Sequence, residues 1–94
     1  MTYKLRFHEL ALTEWNKLDG SIKSQFKKKL TERLEQPRVQ SSALSGMKDC
    51  YKIKLRQLGY RMVYRVDDYI VSVTVIAIGK RDKEKVYQDA DERI

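Results

Sequence analysis

Cys50-Tyr51-Lys52-Ile53-Lys54-Leu55-Arg56-Gln57-Leu58-Gly59-Tyr60-Arg61-Met62-Val63-Tyr64-Arg65-Val66 alternates apolar and basic side chains twice, around a short break. Tyr51, Ile53 and Leu55 fall on one side of the first run, and Lys52, Lys54 and Arg56 on the other. Gln57-Leu58-Gly59 supplies a turn. Tyr60, Met62, Tyr64 and Val66 then alternate with Arg61, Val63 and Arg65. A period of two is the period of a strand, so the stretch predicts a β-hairpin with one face against a core. Pairing Leu55 with Tyr60 sets Ile53 against Met62, Lys54 against Arg61 and Lys52 against Val63. Lys52, Lys54, Arg61 and Arg65 then share the face away from the core. Slipping one strand by a residue would mix the two faces, so the pattern itself selects the register.

Toward the C-terminus, Asp67-Asp68 marks a second turn, and Tyr69 to Ile78 is almost continuously apolar and β-branched. That composition suits a central strand covered on both faces. Gly79-Lys80-Arg81-Asp82 leaves the sheet, and the charged stretch from Lys83 to Ile94 is a short helix or a loose tail. Toward the N-terminus, Thr2 to Phe7 alternates as a strand. Ala11, Trp15 and Leu18 repeat at helical spacing in a short helix over Leu10 to Leu18, stopped by Asp19-Gly20. Ser21 is placed to cap a second helix running to about Gln36. Its buried stripe is Ile22, Phe26, Leu30 and Leu34, with Lys23, Lys27, Lys28 and Arg33 around the remainder. Pro37 ends it. The expected fold is α+β: an N-terminal strand, a helical hairpin packed on a twisted, mainly antiparallel four-stranded sheet, and a short C-terminal helix or tail. Residues 1–94 make one domain, because a chain this short buries only roughly 60% of its unfolded surface and supports one core.

Composition narrows the function. The net charge is +7, which attracts polyanions, and nucleic acid is the commonest partner of a small basic domain. No apolar run is long enough to span a membrane, and no helix sets an aromatic-rich face against a basic one, so no membrane partner is expected. The alternation from Met1 to Phe7 is unlike a signal peptide, which points to the cytoplasm. A single cysteine, Cys50, and a single histidine, His8, exclude a disulfide and a cysteine or histidine metal cluster. Cys50 is expected to be a buried thiol, Trp15 a core residue and His8 structural.

Lys54 opposite Arg61 is an unfavourable pairing, worth up to about 1 kcal/mol. Two readings fit it. The basic face is simply solvated, where it also discourages edge-to-edge association. Or the repulsion is relieved when a polyanion lies across it. Lys80 and Arg81 add two cations at the end of the apolar strand, and Tyr87 follows close enough to fold back over the sheet, or to be an ordinary buried tail residue. Such a set lacks the histidine pair of acid–base ribonucleases and the carboxylates of two-metal hydrolysis. RNA strand transfer needs less: the ribose 2′-oxygen attacks the adjacent phosphorus and expels the 5′-oxygen. The protein must align the backbone, neutralise charge and move protons. Arginine offers a planar fork to phosphate oxygens. Lysine serves as a base only if its pKa falls from about 10.4 to about 7–8, which takes about 4 kcal/mol of differential interaction. Neighbouring cations act in that direction. No cofactor is called for.

Five segments together resemble the RelE toxins: Ala11-Leu12-x-Glu14-Trp15-x-Lys17-Leu18, Lys27-Lys28-Lys29-Leu30, Cys50 to Arg56, Gly59-Tyr60-Arg61-x-Val63-Tyr64, and Gly79-Lys80-Arg81. The resemblance spans nearly the whole chain. It implies the stable half of a type II toxin–antitoxin pair, a metal-independent endoribonuclease that enters the ribosomal A site on the 30S subunit and cleaves messenger RNA. The products it implies are a 2′,3′-cyclic phosphate and a 5′-hydroxyl. The implied partners are mRNA, 16S ribosomal RNA, a neutralising RelB-type antitoxin, and operator DNA contacted through that antitoxin. The family's active-site motif falls on Lys52, Lys54, Arg61, Arg81 and Tyr87. By resemblance, Lys52 and Lys54 stabilise charge and help activate the 2′-oxygen, and Arg61 binds the scissile phosphate. Arg81 contacts the phosphate and assists the leaving oxygen, while Tyr87 stacks on a base or takes the 2′-hydroxyl proton. Lys27, Lys28, Arg65 and Lys80 are the expected RNA-binding cations around them, although the Lys27-Lys28-Lys29 run also reads as a solvated helix face. Two departures stand out. Relatives often carry a basic residue where this chain has Ser45, and the tail is acidic at Asp89, Asp91 and Glu92. Two other functions share parts of this description: a ParE-like toxin of the same fold that binds DNA gyrase, and a passive basic module that binds RNA or DNA without cutting it.

Overall fold

A computed structural model describes residues 2–81 and 85–94. The elements are β1 (Lys4–Phe7), α1 (Glu9–Asn16), α2 (Gly20–Glu35), a short 3-10 turn (Gln40–Ser42), β2 (Cys50–Leu55), β3 (Tyr60–Asp67), β4 (Ser72–Lys80) and α3 (Lys85–Arg93). The four strands form one sheet in the order β1-β4-β3-β2. β1 runs parallel to β4, and the other two pairings are antiparallel. The hairpin register is the one selected by the hydrophobic pattern, with Leu55 on Tyr60, Ile53 on Met62, Lys54 on Arg61 and Lys52 on Val63. Gly59 makes the turn possible: its φ of 71° is open to glycine at little cost, and its N–H donates to the Leu55 carbonyl at 2.8 Å.

Local chemistry explains where the elements begin and end differently from the sequence expectation. The N-cap of α1 is His8, whose Nδ1 accepts from the Leu10 N–H at 3.1 Å. α1 stops at Asn16, and Asp19 opens α2 in extended conformation rather than Ser21, whose hydroxyl donates to the Asp19 carboxylate at 2.7 Å. β4 begins at Ser72, not Tyr69. The Asp67 carboxylate accepts from the Tyr69 and Ile70 N–H groups at 2.9 and 3.4 Å, which curls those apolar residues into the hairpin tip. β4 also runs on to Lys80, past the Ile78 end expected for it. The tail is a helix from Lys85 onward; the expected departure at Asp82 and start at Lys83 lie outside the described residues.

Each face of the sheet has its own core. On one, Phe26 and Leu30 of α2 and Ala11 of α1 pack on Tyr51, Ile53, Met62, Tyr64, Val73, Val75 and Ile78. Trp15 lies against this core between Phe7 and Phe26, with ring centroids 5.6 and 6.4 Å away. On the other face, Val86 and Ala90 of α3 cover Cys50, Val63, Ile76 and Ala77. Cys50 is a buried free thiol there. β4 is therefore covered on both sides. A register shift between Val63 and Tyr64 gives it one extra residue, so that Ile76 and Ala77 both turn toward α3. Among the described residues, no helix is long and apolar enough to cross a membrane.

Candidate active site

The sheet lines up Lys54 of β2, Arg61 of β3 and Gly79 of β4 in one row. The next row on the same face is Lys52, Val63 and Ala77, and α3 lies over its inner two members. That helix carries Tyr87 to Arg61. The tyrosine ring centroid is 5.4 Å from the guanidinium carbon, and Arg61 Nη1 donates to the Tyr87 hydroxyl at 3.2 Å. Beyond β4, the Arg81 N–H donates to the Gly59 carbonyl at 2.7 Å, fixing Arg81 beside the hairpin turn. Lys54, Arg56, Arg61 and Arg81 thus line one hollow of about 290 Å³, floored by Leu55, Gly59 and Tyr60.

Two more basic hollows adjoin it. One, of about 420 Å³, takes Gln25, Lys29, Lys54, Arg56 and the Gln57-Leu58 turn. The other, of about 320 Å³, takes Lys29, Arg33, Ser41, Ser42, Lys52, Lys54 and Arg56. Lys54 lines all three. Among the described residues none contains an Asp, Glu, His or Cys, and no carboxylate pairs with Lys52, Lys54, Arg61 or Arg81. The Lys54 ammonium is held below the ordinary lysine pKa, first by Lys52, then by partial desolvation, then by Arg61, Arg56 and Arg81.

Three arginines elsewhere in the chain are occupied. Arg33, expected on the exposed face of α2, turns inward and donates to the Tyr64 hydroxyl at 2.9 Å and the Lys52 carbonyl at 3.1 Å. Arg38 donates to Asp49 at 3.0 Å and Asp68 at 2.8 Å. Arg93 holds Glu14 through two bonds of 2.9 and 3.0 Å. Asp89, one of the unexpected tail acids, lies 3.3 Å from Lys85 and 4.0 Å from Arg93, so cations of its own helix offset its charge.

Lys52, Lys54, Arg61, Arg81 and Tyr87 therefore come together. The four outer candidates do not. Arg65 shares the Arg61 face but lies four residues along β3, about 13 Å away at strand rise, beyond Val63. Lys80 pairs with Tyr60, on the opposite face from Arg61. Lys27 borders an apolar groove with Leu5, Phe7, Trp15, Leu30 and Leu34, and Lys28 is exposed but lines none of the basic hollows. Lys29 and Arg56 line them instead. Arg56 was visible in the strand alternation, but nothing in a run of three lysines singles out Lys29.

The family described as ParE toxin of type II toxin-antitoxin system, parDE, matches residues 5–84. A protein of Escherichia coli K12, mRNA interferase toxin RelE, is 54% identical over 94 residues, covering 100% of this chain and 99% of its own. The chain belongs to the RelE toxins of the RelE/ParE family. The fold agrees: a double arginine-to-alanine mutant of E. coli toxin RelE in the free state superposes with a TM-score of 0.92 at 53% identity, over 100% of this chain and 99% of that one. The same mutant in complex with an antitoxin RelBc peptide gives 0.83 at 53% identity and the same coverage. The RelE sheet, its helical hairpin and its C-terminal helix are thus all present in this chain.

Proposed function

We propose that this chain is an mRNA-cleaving toxin that acts on messenger in the ribosomal A site and is neutralised by a RelB-type antitoxin. The observation that carries the reading is the convergence of Lys54, Arg61 and Arg81 on one hollow whose described lining contains no carboxylate, with Tyr87 bonded to Arg61 from α3. The relatives support it by name, as an mRNA interferase and as a toxin solved with its antitoxin.

Such a site binds a phosphodiester by charge and cuts it by alignment. A neutral Lys54 amine takes the 2′-hydroxyl proton, and its lowered pKa makes that form accessible nearer neutral pH. The 2′-oxygen bonds to phosphorus as the bond from phosphorus to the 5′-oxygen breaks. Arg61, steadied by Tyr87, takes the charge that grows on the non-bridging oxygens, where pre-placed donors act most strongly. Lys52 adds to that field. Arg81 stabilises the charge on the departing 5′-oxygen, which takes a proton from water to leave as a hydroxyl, and a 2′,3′-cyclic phosphate remains. Tyr87 offers its ring as a stacking surface for a base. Lys29 and Arg56, with Lys27, Lys28, Arg65 and Lys80 farther out, hold messenger and 16S ribosomal RNA phosphates. Operator DNA is reached through the antitoxin.

The test is primer extension on a messenger recovered after brief expression, with Arg61→Ala and Arg81→Ala beside the unaltered chain. Breaks are expected within the translated frame, to be lost in both variants, and to be scarce on the same RNA without ribosomes. Normal cutting by both variants would refute the site. Intact messenger with inhibited DNA supercoiling would point to a gyrase-binding toxin instead.

A further inference from the structure

β1 pairs with β4 only from Ser72 to Val75. Past that point, among the described residues, the outer edge of β4 continues without a neighbouring strand, through the bulge residue Ile76 to Ile78, both 4% exposed. Buried backbone groups left unpaired there would each cost about 1–3 kcal/mol. Two helices supply the partners. Glu14 of α1 accepts from the Ile78 N–H through Oε1 at 3.0 Å. Arg93, in the last turn of α3, donates through Nη1 to the Ile76 carbonyl at 2.9 Å. The two side chains then close on each other, Nη1 to Oε1 at 2.9 Å and Nη2 to Oε2 at 3.0 Å. Arg93 is only 12% exposed, so this two-pronged pair is largely shielded from water.

α3 needs such a fastening. It has nine residues, too few to be helical on its own. Its buried anchors, Val86 and Ala90, are small. Yet it carries Tyr87, which holds the guanidinium of Arg61 from above. We infer that Glu14 and Arg93 are positioning residues for RNA cleavage: by clamping the end of α3 to the free edge of β4, they keep Tyr87 on Arg61. The inference rests on the reading of Tyr87 and Arg61 as site residues. Neither Glu14 nor Arg93 lines the basic hollows. Their effect passes through the helix.

The experiment is a mutant cycle with two readouts. Arg93→Met keeps an apolar stem and removes the clamp; Glu14→Gln keeps an acceptor for Ile78 while weakening the hold on Arg93. Single-turnover cleavage on translating ribosomes is expected to fall about 10- to 100-fold in Arg93→Met, the scale of an ångström-level misplacement, and less in Glu14→Gln. In a Tyr87→Ala background, Arg93→Met should cause no further loss. Amide exchange should speed up in α3 while β3 and β4 stay protected. Normal cleavage by both clamp variants would overturn the inference. So would losses that multiply with Tyr87→Ala, or exchange that rises equally through the sheet, because either would make the pair a general support. Normal cleavage by Tyr87→Ala itself would remove the site reading beneath the inference, and α3 exchange would still show whether the clamp exists.

Discussion

The two faces of this sheet are built from different materials. Under α1 and α2 lie large side chains, with Phe26, Met62 and Tyr64 wholly buried. On the other face Val86 and Ala90 of α3 meet Cys50, Val63, Ile76 and Ala77, most of them small, and the sheet beyond the helix is given to cations. Burying one large apolar side chain is worth about 1.5–3 kcal/mol, whereas facing Lys54 with Arg61 costs at most about 1 kcal/mol. One face can therefore supply the stability that lets the other hold uncompensated charge. The difference teaches a division of labour: truncation on the large-residue face should be felt in folding, and truncation among the cations in chemistry.

Phe26→Ala puts the most strain on that division. It should lower the free energy of unfolding by about 3–5 kcal/mol, read by denaturant titration, while the folded fraction still cleaves. Arg61→Ala should do the reverse. Loss of a preorganised donor to the phosphate should cost about 10²- to 10³-fold in cleavage rate, with the unfolding free energy moving by less than about 1 kcal/mol. If Arg61→Ala unfolds the chain, or Phe26→Ala abolishes cleavage by molecules that remain folded, the two faces are not separable in this way.

The sequence carries this division unevenly. A period of two reports which side of a strand a residue occupies, so the register that joins Lys54 to Arg61 was readable, and with it the choice of the large-residue face. Alternation does not say what covers the opposite face, and the burial of Val63 among basic neighbours became clear only with α3 in place. Charge is harder still. Arg33, Arg38 and Arg93 look like any other cations in the chain, yet each is tied to partners far away in sequence, such as Tyr64, Asp68 and Glu14. β4 starts later than its residue types suggest, because Tyr69 and Ile70 favour strands but a side-chain acceptor on Asp67 overrides that preference. Family likeness named Tyr87; composition alone would have left it in the tail.

A pH profile sharpens the comparison within the cationic face. If Lys54 is the base, cleavage rises with pH as its ammonium loses a proton and levels off above its pKa. Lys52 is the largest cause of the depression of that pKa. Lys52→Ala should therefore move the rising limb to higher pH, and the deficit near neutrality should shrink as the solution becomes more alkaline. Between the lowered folded pKa and the ordinary unfolded one, the unfolded chain binds more protons, so stability should rise with pH in that window. A profile that keeps its position in Lys52→Ala would mean that another group takes the proton.

The smallest effect separates a shaped site from a merely basic surface. Lys27 and Lys29 belong to one run, but each residue of a helix turns the next by about 100°, and the two emerge in different places. Lys29 lines two of the basic hollows; Lys27 borders the apolar groove near Trp15. Binding of a short RNA blocked at its 2′-oxygens, measured over a range of salt, should lose about 0.7 from the slope of log affinity against log salt in Lys29→Ala, one phosphate contact on a single strand. Lys27→Ala should lose less. Charge counting alone would make the two variants equal, since each removes one unit from a chain of net charge +7. Equal slopes would mean that the RNA answers to the overall field of the toxin; unequal slopes would mean that it follows the hollows leading to Lys54.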